Sequence, residues 1–166
     1  MCEFNDVFSD KLGGKVMNCK PMKIELRSDI PIKPVCFVTA RKVPLHFEAA
    51  AAELIAELLA AGVIERVDHA TTWTSPAHFV EKGNTGRVRL VCDFTHLNKF
   101  VARPTHPFPS VPDIVQTVDP KSRYFAKADL CHGYFQVPLA VEDRDLTTFI
   151  LPCGRYRFTA GSYGFS

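Results

Sequence analysis

The most regular spacing of apolar residues lies between Leu45 and Ala61. Apolar residues recur there at steps of three and four, the period of one helix face: Phe47, Ala51, Leu54, Ile55, Leu58 and Leu59. Pro44 precedes the segment and Gly62 follows it, as is typical of a helix start and a C-terminal cap. We therefore predict an amphipathic helix from Leu45 to Ala61, with Glu53 and Glu57 facing solvent.

Shorter alternating patterns after this helix predict strands. Val63 to Val67 forms one short run, and Ala77 to Lys82 and Val88 to Asp93 flank the turn residues 83–86. Glycine and asparagine in that turn suit a β-hairpin. In the second hairpin strand, a period of two places an apolar set on one face: Val88, Leu90 and Cys92.

The rest of the chain is less regular. We interpret residues 1–43 as an extended lead-in with one short strand, Met22 to Leu26. After residue 103, four prolines predict a loop, and Ser110 with Asp113 predicts a capped short helix through Val118. The remaining sequence predicts four short strands: Tyr124 to Leu130, Tyr134 to Leu139, Thr147 to Leu151 and Tyr156 to Thr159.

Composition narrows the classes of protein that this sequence fits. Hydrophobic residues at 46% and charged residues at 23% are typical of a soluble globular chain. No run of about 18 apolar residues predicts a membrane span. Residues 1–8 lack the order of a secretory signal, so we expect a reducing compartment. The six cysteines are widely spaced, which favours reduced, mostly packed thiols over a zinc site.

The distribution of charge is more informative than its sum. A net charge of +2 is too small to indicate a nucleic-acid-binding protein by itself. One segment, however, concentrates five basic residues against the single acid Asp93: Lys82, Arg87, Arg89, Lys99 and Arg103. We therefore predict that one face of the protein is basic.

Asp129 is a candidate for chemistry, because it ends an apolar run and precedes a glycine-containing turn. A carboxylate there could hold a metal ion or cap the turn, and the segment alone leaves both roles open. Two-metal phosphoryl chemistry needs several carboxylates close together, which one aspartate does not supply. We interpret Asp93 as the ion-pair partner of Arg89, and the acids after Asp129 as solvated surface: Glu142, Asp143 and Asp145.

Lys82 and Arg89 flank the turn of the predicted hairpin. A basic hairpin can fold over a triphosphate, with lysine as a point charge and arginine as a bidentate fork. Hairpin charges also serve solvation, so the pattern alone leaves both functions open. Just before the hairpin, residues 73–76 suit a turn in which Trp73 is a buried anchor. No GxSxG, P-loop or HExxH pattern supports a hydrolase or nucleotide-kinase function.

Taken in order, these segments resemble the reverse transcriptases of LTR retrotransposons, particularly the gypsy-like group. The matching segments are Leu58 to Glu65 ("LL.GVIE"), Trp73 to Pro76 ("W.SP"), Arg89 to Lys99 ("R..VD(Y/F)..LN"), Pro107 to Pro109 ("P.P"), Tyr124 to Gln136 ("(Y/F)F.K.DL..GY.Q", the first catalytic motif), and Thr147 to Phe149 with Gly154 to Phe158 (the next motif). The resemblance covers about residues 44–166, and residues 3–8 resemble the linker that follows the protease.

This resemblance implies an α+β fold, with fingers over residues 44–122 and part of an antiparallel palm sheet over residues 123–166. It implies that Asp129 is the first metal-binding aspartate, and that Lys82 and Arg89 bind the incoming triphosphate. It also implies that Tyr134 lies beneath the sugar and disfavours a 2′-hydroxyl. Three further residues are expected near nucleotide and template: Gln136, Tyr163 and Gly164. Ser162 replaces a proline that many relatives have, so the backbone of its loop is expected to differ.

For a complete enzyme the resemblance implies RNA-directed DNA synthesis. Two Mg²⁺ ions, deoxynucleotides, an RNA or DNA template-primer and the remaining Pol domains would take part. Beyond these segments the family continues through a palm helix to a hairpin bearing "Y.DD", and the 166 residues contain neither. We therefore expect a partial palm, truncated before the second catalytic motif and inactive alone. The alternative is a non-enzymatic nucleic-acid-binding or degraded transposon remnant. No membrane partner is expected, and relatives act in cytoplasm and nucleus.

Overall fold

The computed structural model describes residues 16–83, 85–103 and 107–165. The expectations for residues 1–15, for Asn84 in the hairpin turn and for part of the proline-rich loop lie outside these ranges. The elements are a 3₁₀ turn Leu45–Phe47, α1 Glu48–Ala60, β1 Ile64–Arg66, β2 Ser75–Glu81, β3 Val88–Cys92, α2 Thr95–Asn98, α3 Val111–Gln116, 3₁₀ helices Gly133–Gln136 and Val141–Thr147, β4 Phe149–Leu151 and β5 Gly154–Phe158.

Helix α1 forms as its apolar spacing predicts. Its buried face packs on the sheet through Ala51, Ile55 and Leu58, while Glu53 and Glu57 are exposed. Gly62 follows with a φ of 67°, a left-handed conformation that glycine adopts without steric penalty. The predicted helix and its glycine cap are confirmed. The capped helix at Ser110 also forms, as α3, with Asp113 at its third position.

The five strands form one sheet in the order β1-β5-β4-β2-β3. All neighbours pair antiparallel except β2 and β4, which pair parallel with Ser75 opposite Phe149. Strands from both sides of residue 123 therefore share one sheet, and the division into fingers and palm stays a prediction. The centre of the core is aromatic: Phe149 and Tyr156 stack at 5.8 Å between ring centroids. Trp73 is buried, as predicted, but Ser75 and Pro76 lie in β2 rather than in the predicted turn.

Three predicted strands are wrong. Residues Tyr124 to Leu130 form no ladder in the part of the chain described here, and all seven are exposed. Alternation is sufficient for a strand only where a second strand accepts its backbone hydrogen bonds. Tyr134 to Leu139 instead begins as the 3₁₀ helix Gly133–Gln136, because His132 takes a left-handed φ of 51° and turns the chain. Met22 to Leu26 makes isolated bridges through its two end residues rather than a strand.

The acids at 142–145 are not simply a solvated turn, because two of the three are structural. Asp145 accepts a 2.5 Å hydrogen bond from Arg157 and lies 3.1 Å from the His69 Nε2. Arg157 also donates to Glu65 on β1 at 2.6 Å. Asp143 accepts the backbone N–H of Ile24 at 2.9 Å, whereas exposed Glu142 pairs with Lys23. The sequence shows the charges but not the distant partners that order them.

Replacing Asp145 with asparagine tests this network. Burial acts to raise the pKa of Asp145, but hydrogen bonds from Arg157 and His69 outweigh it, so the pKa lies below its ordinary value. Such a group stabilises the fold above the unfolded-state pKa of about 4, and this contribution disappears as the pH falls through the folded-state pKa. Because the side chain is 43% exposed, we expect a loss of only about 1 kcal/mol at neutral pH.

Urea unfolding of Asp145→Asn between pH 7 and pH 3 measures this effect, and its free-energy difference from the unsubstituted protein should shrink in acid. Asp68→Asn is the matched control. The Asp68 side chain is fully exposed, and its one ion-pair contact within the described ranges is with the Nδ1 of His69, at 3.5 Å. Equal stability of Asp145→Asn and the unsubstituted protein at neutral pH would contradict the structural role.

The expectation of packed thiols holds for one described cysteine. Cys92 is buried, and burial raises the pKa of its thiol well above the ordinary value. The other described cysteines are exposed: Cys19, Cys36, Cys131 and Cys153. Among the described residues, no helix combines the length and apolar character needed to cross a bilayer.

Candidate nucleotide and nucleic-acid site

The β2–β3 hairpin presents the basic residues that the sequence singled out. Lys82 donates its backbone N–H to the Arg87 carbonyl at 2.8 Å, which closes the hairpin beyond the last strand pair. Thr85 Oγ1 donates to the Lys82 carbonyl at 2.6 Å and orders the turn. The side chains of Lys82, Arg87 and Arg89 are exposed. The predicted hairpin is confirmed, and its cations are available to a ligand.

The predicted pair between Asp93 and Arg89 is wrong. Asp93 lies 3.9 Å from Arg41 and accepts the backbone N–H of Thr95 at 3.1 Å. Hydrogen bonds from Thr95 lower the pKa of Asp93 below its ordinary value. The prediction extended the strand period to residue 93, but β3 ends at Cys92 and the chain turns there into α2. Arg89 is therefore not neutralised by Asp93.

The charge of Arg89 instead acts on Tyr163, whose ring lies against that of Tyr134 from another distant segment. The rings of Tyr134 and Tyr163 are 4.9 Å apart between centroids, and these residues are 55% and 46% exposed. Burial raises the pKa of Tyr163, while the positive charge of Arg89 acts in the opposite direction. The structure thus brings together three predicted site residues in one half-exposed aromatic and cationic patch, which we call the Arg89 patch: Arg89, Tyr134 and Tyr163.

Two glycines hold the Tyr163 loop against its neighbours. A Cβ on Gly161 would lie 2.8 Å from the backbone oxygen of Tyr134, so only glycine allows this approach. Gly164 has a φ of 86°, and its carbonyl accepts a 2.9 Å hydrogen bond from the side-chain amide of Asn98. Sequence reasoning missed Gly161 and Asn98 as positioning residues. The replacement of a family proline by Ser162 in the same loop was the available signal.

Ser162 in the same loop occupies the position where many relatives have proline. Ser162 is only 3% exposed, and its hydroxyl has no hydrogen-bond partner among the described residues. A buried hydroxyl without a partner costs about 1–3 kcal/mol. The difference in loop backbone expected from this replacement stays a prediction.

Gln136 and Asp129 lie close to Tyr134 in sequence, but only Gln136 makes a hydrogen bond with the described residues. The Gln136 amide donates to the Cys131 carbonyl at 2.6 Å, which fixes the turn that leads to Tyr134. Asp129 belongs to the exposed segment 123–130 and makes no hydrogen bond or ion pair with the described residues. No group of three potential ligand side chains for a metal ion occurs in the described ranges. The roles inferred for both residues stay predictions.

The chain is similar in sequence to known Pol polyproteins. No family model matches the chain. The Pol polyprotein of transposon gypsy from Drosophila melanogaster is 34% identical over 116 residues, 66% of this chain and 11% of that protein. The uncharacterized protein K02A2.6 of Caenorhabditis elegans is 30% identical over 98% of this chain and 12% of its own length. The chain thus spans only about an eighth of these relatives.

Parts of solved foamy virus protease-reverse transcriptase structures have the same fold as this chain. A CSH mutant superposes with a TM-score of 0.79 at 22% identity, over 99% of this chain and 21% of the viral chain. The dRH form in complex with double-stranded DNA superposes with a TM-score of 0.80 at 18% identity, over 99% and 28%. The α+β fold and the resemblance to gypsy-like Pol polyproteins are confirmed.

Proposed function

Because this chain is a relative of gypsy-like retrotransposon Pol polyproteins with the fold of a reverse transcriptase, we propose that it forms the nucleotide-facing surface of an RNA-directed DNA polymerase. The observation that carries this proposal is the Arg89 patch. Arg89 comes from the hairpin, Tyr134 from the 3₁₀ helix at the end of the segment that resembles the first catalytic motif, and Tyr163 from the last loop. Their convergence supports a common ligand.

Each side chain suits a different part of a deoxynucleoside triphosphate. Lys82 and Arg89 supply exposed positive charge for the phosphates, and guanidinium groups can bind phosphate oxygens in pairs. The exposed ring of Tyr134 offers a flat apolar surface to a sugar, where a 2′-hydroxyl would add bulk. Tyr163 and Gly164 would contact the nucleotide or its template, and Gln136 would hold the turn that carries Tyr134.

For the polymerase reaction, Asp129 would be one ligand of the Mg²⁺ ions that lower the proton affinity of the primer hydroxyl and stabilise the leaving pyrophosphate. Its exposure leaves both carboxylate oxygens accessible. Magnesium is usually held by one or two carboxylates together with substrate phosphates, and a two-metal site needs several carboxylates, whereas no group of three potential ligand side chains occurs among the described residues. The described residues therefore do not fit a complete metal site, and the remaining Pol domains are proposed partners.

A fluorescent deoxynucleoside triphosphate tests this function on the 166-residue protein. We expect Lys82→Ala and Arg89→Ala each to weaken binding about tenfold, because each removes charged contacts to phosphate. Lys121→Ala is the matched control, since Lys121 is also exposed but lies outside the hairpin. Fluorescence anisotropy gives the dissociation constants. Unchanged affinity in both hairpin variants would refute a triphosphate site at this patch.

The same protein is expected to give no primer extension with Mg²⁺, deoxynucleotides and an RNA template, because it supplies one carboxylate of the required cluster. Processive synthesis by the 166-residue protein would overturn this expectation.

The second candidate function is binding of nucleic acid without catalysis, favoured by the exposed cations from Lys82 to Arg103. Retained hybrid binding without any deoxynucleotide binding would favour that alternative.

A further inference from the structure

A groove of about 580 Å³ lies between helix α1 and the sheet. Its floor consists of buried apolar side chains from α1 and three strands: Ile55, Phe79, Leu151 and Tyr156. None of its lining residues belongs to the Arg89 patch or to any other predicted site. Its volume lies within the range of small-molecule sites, which are typically apolar with a few polar groups at defined places.

The rim of this groove carries the polar groups. Lys42 and Arg66 are exposed cations, and Glu48 is the one carboxylate in the lining. Arg66 lies over the ring of Tyr156, with its guanidinium carbon 5.6 Å from the ring centroid. The Tyr156 hydroxyl donates to the Cys153 sulfur at 3.4 Å. An apolar floor and a rim with two cations against one acid complement a ligand that has an apolar body and a negative group.

We propose that this groove binds a small amphipathic anion, with its ring system on the apolar floor and its acidic group at Arg66 and Lys42. An aromatic body fits this floor because two of the four floor side chains are themselves aromatic, and offset aromatic contacts add to simple apolar burial. Arg66 is already held over Tyr156, so its guanidinium is oriented before a ligand arrives. A carboxylate, sulfonate or phosphate at that position gains a charge-assisted hydrogen bond.

The probe is 8-anilinonaphthalene-1-sulfonate, compared with the neutral N-phenyl-1-naphthylamine, which has the same rings and no acidic group. Both are titrated against the 166-residue protein at low salt, and fluorescence reports the dissociation constants. We expect saturable binding of one sulfonate probe per protein and binding of the neutral probe about tenfold weaker. Equal affinity of the two probes would overturn the requirement for an anion.

Two substitutions on α1 separate groove binding from general apolar adsorption. Ala52 lines the groove, whereas Ala49 is exposed on the same helix and does not line it. We expect Ala52→Trp to fill the groove and weaken sulfonate binding at least about tenfold, and Ala49→Trp to leave it unchanged. Arg66→Gln should weaken the sulfonate probe but not the neutral one. Equal binding by both tryptophan variants would place the probe elsewhere and refute the proposal.

A thiol footprint on the unsubstituted protein keeps the test independent of variant folding. Cys153 lines the groove, and Cys36 is an exposed cysteine that does not. We expect saturating sulfonate probe to slow carbamidomethylation of Cys153 at least about fivefold and to leave Cys36 unaffected, as measured by mass spectrometry of peptides. Equal rates at Cys153 with and without the probe would overturn the proposed location.

Discussion

Replacing Arg87, Arg89 and Lys99 together with glutamate is expected to weaken binding of an RNA/DNA hybrid by roughly 100-fold at about 50 mM salt. All three side chains are exposed, and the first two lie on the hairpin. Lys99 follows Asn98, which is hydrogen-bonded to the loop that carries Tyr163. The three charges therefore lie on or beside the elements that form the Arg89 patch. Phosphate contacts release counterions, so their loss removes affinity at any sequence.

The salt dependence gives the same prediction a second measurement. If three phosphates are contacted, affinity for the hybrid should fall about 40-fold between about 50 and 200 mM salt, and the triple variant should lose most of this slope. The matched control replaces Lys33, Lys42 and Arg66, which are exposed and outside the hairpin, with glutamate and so changes net charge equally. Equal losses in both triple variants would mean that overall charge, rather than this surface, governs binding.

The sequence correctly predicted the elements that are stabilised by contacts between residues close in sequence. Of the residues that the three- and four-residue spacing selects, the helix over 48–60 buries Ala51, Ile55 and Leu58 fully, and it buries Leu54 and Leu59 partly. The capping box of Ser110 and Asp113 forms because both partners lie within a single helical turn. The hairpin likewise needs only its own turn and two adjacent strands. In each case the stabilising contacts are close in sequence, so the pattern contains most of the information.

The errors fall where the partner is distant. Tyr124 to Leu130 alternates like a strand but has no neighbouring strand in the described chain. Asp145 looks like a surface acid until Arg157 and His69 are placed beside it. The parallel contact of β2 with β4 joins segments that no local pattern connects. Such contacts depend on the three-dimensional path of the chain, which periodicity does not specify.

The candidate site shows the same division. Arg89, Tyr134 and Tyr163 were each identified through the family resemblance, but their proximity appears only in the structure. Gly161 was not identified from the sequence. Its importance arises from the carbonyl of Tyr134, which approaches from another segment. A glycine required by local backbone conformation can be inferred from a turn pattern, whereas one required by a distant neighbour cannot.

Replacing Gly161 with alanine is expected to destabilise the fold by about 2 kcal/mol and to disrupt the Arg89 patch. The new Cβ would lie 2.8 Å from the Tyr134 oxygen, and that neighbour is backbone, so the loop or the 3₁₀ helix must move. Either movement separates Tyr134 from Tyr163. As Tyr163 becomes more exposed, its raised pKa should fall toward the ordinary value, since burial is the main cause of the shift.

Urea unfolding measures the stability of Gly161→Ala, and ¹³C NMR of ring-labelled tyrosine across pH measures the titration. Tyr156 provides an internal reference, because burial raises its pKa too but the groups that act on it are Cys153 and Arg66 rather than Arg89. Gly86→Ala is the matched control. Because Gly86 has a φ of 68°, alanine there should lower the free energy of unfolding by about 1 kcal/mol, but the added Cβ would have no atom within 4 Å. It should therefore leave the Tyr163 titration unchanged. If Gly161→Ala also left the Tyr163 titration unchanged, the position of the loop would not depend on this glycine. The contact between Tyr134 and Tyr163 would then be maintained by the aromatic rings themselves.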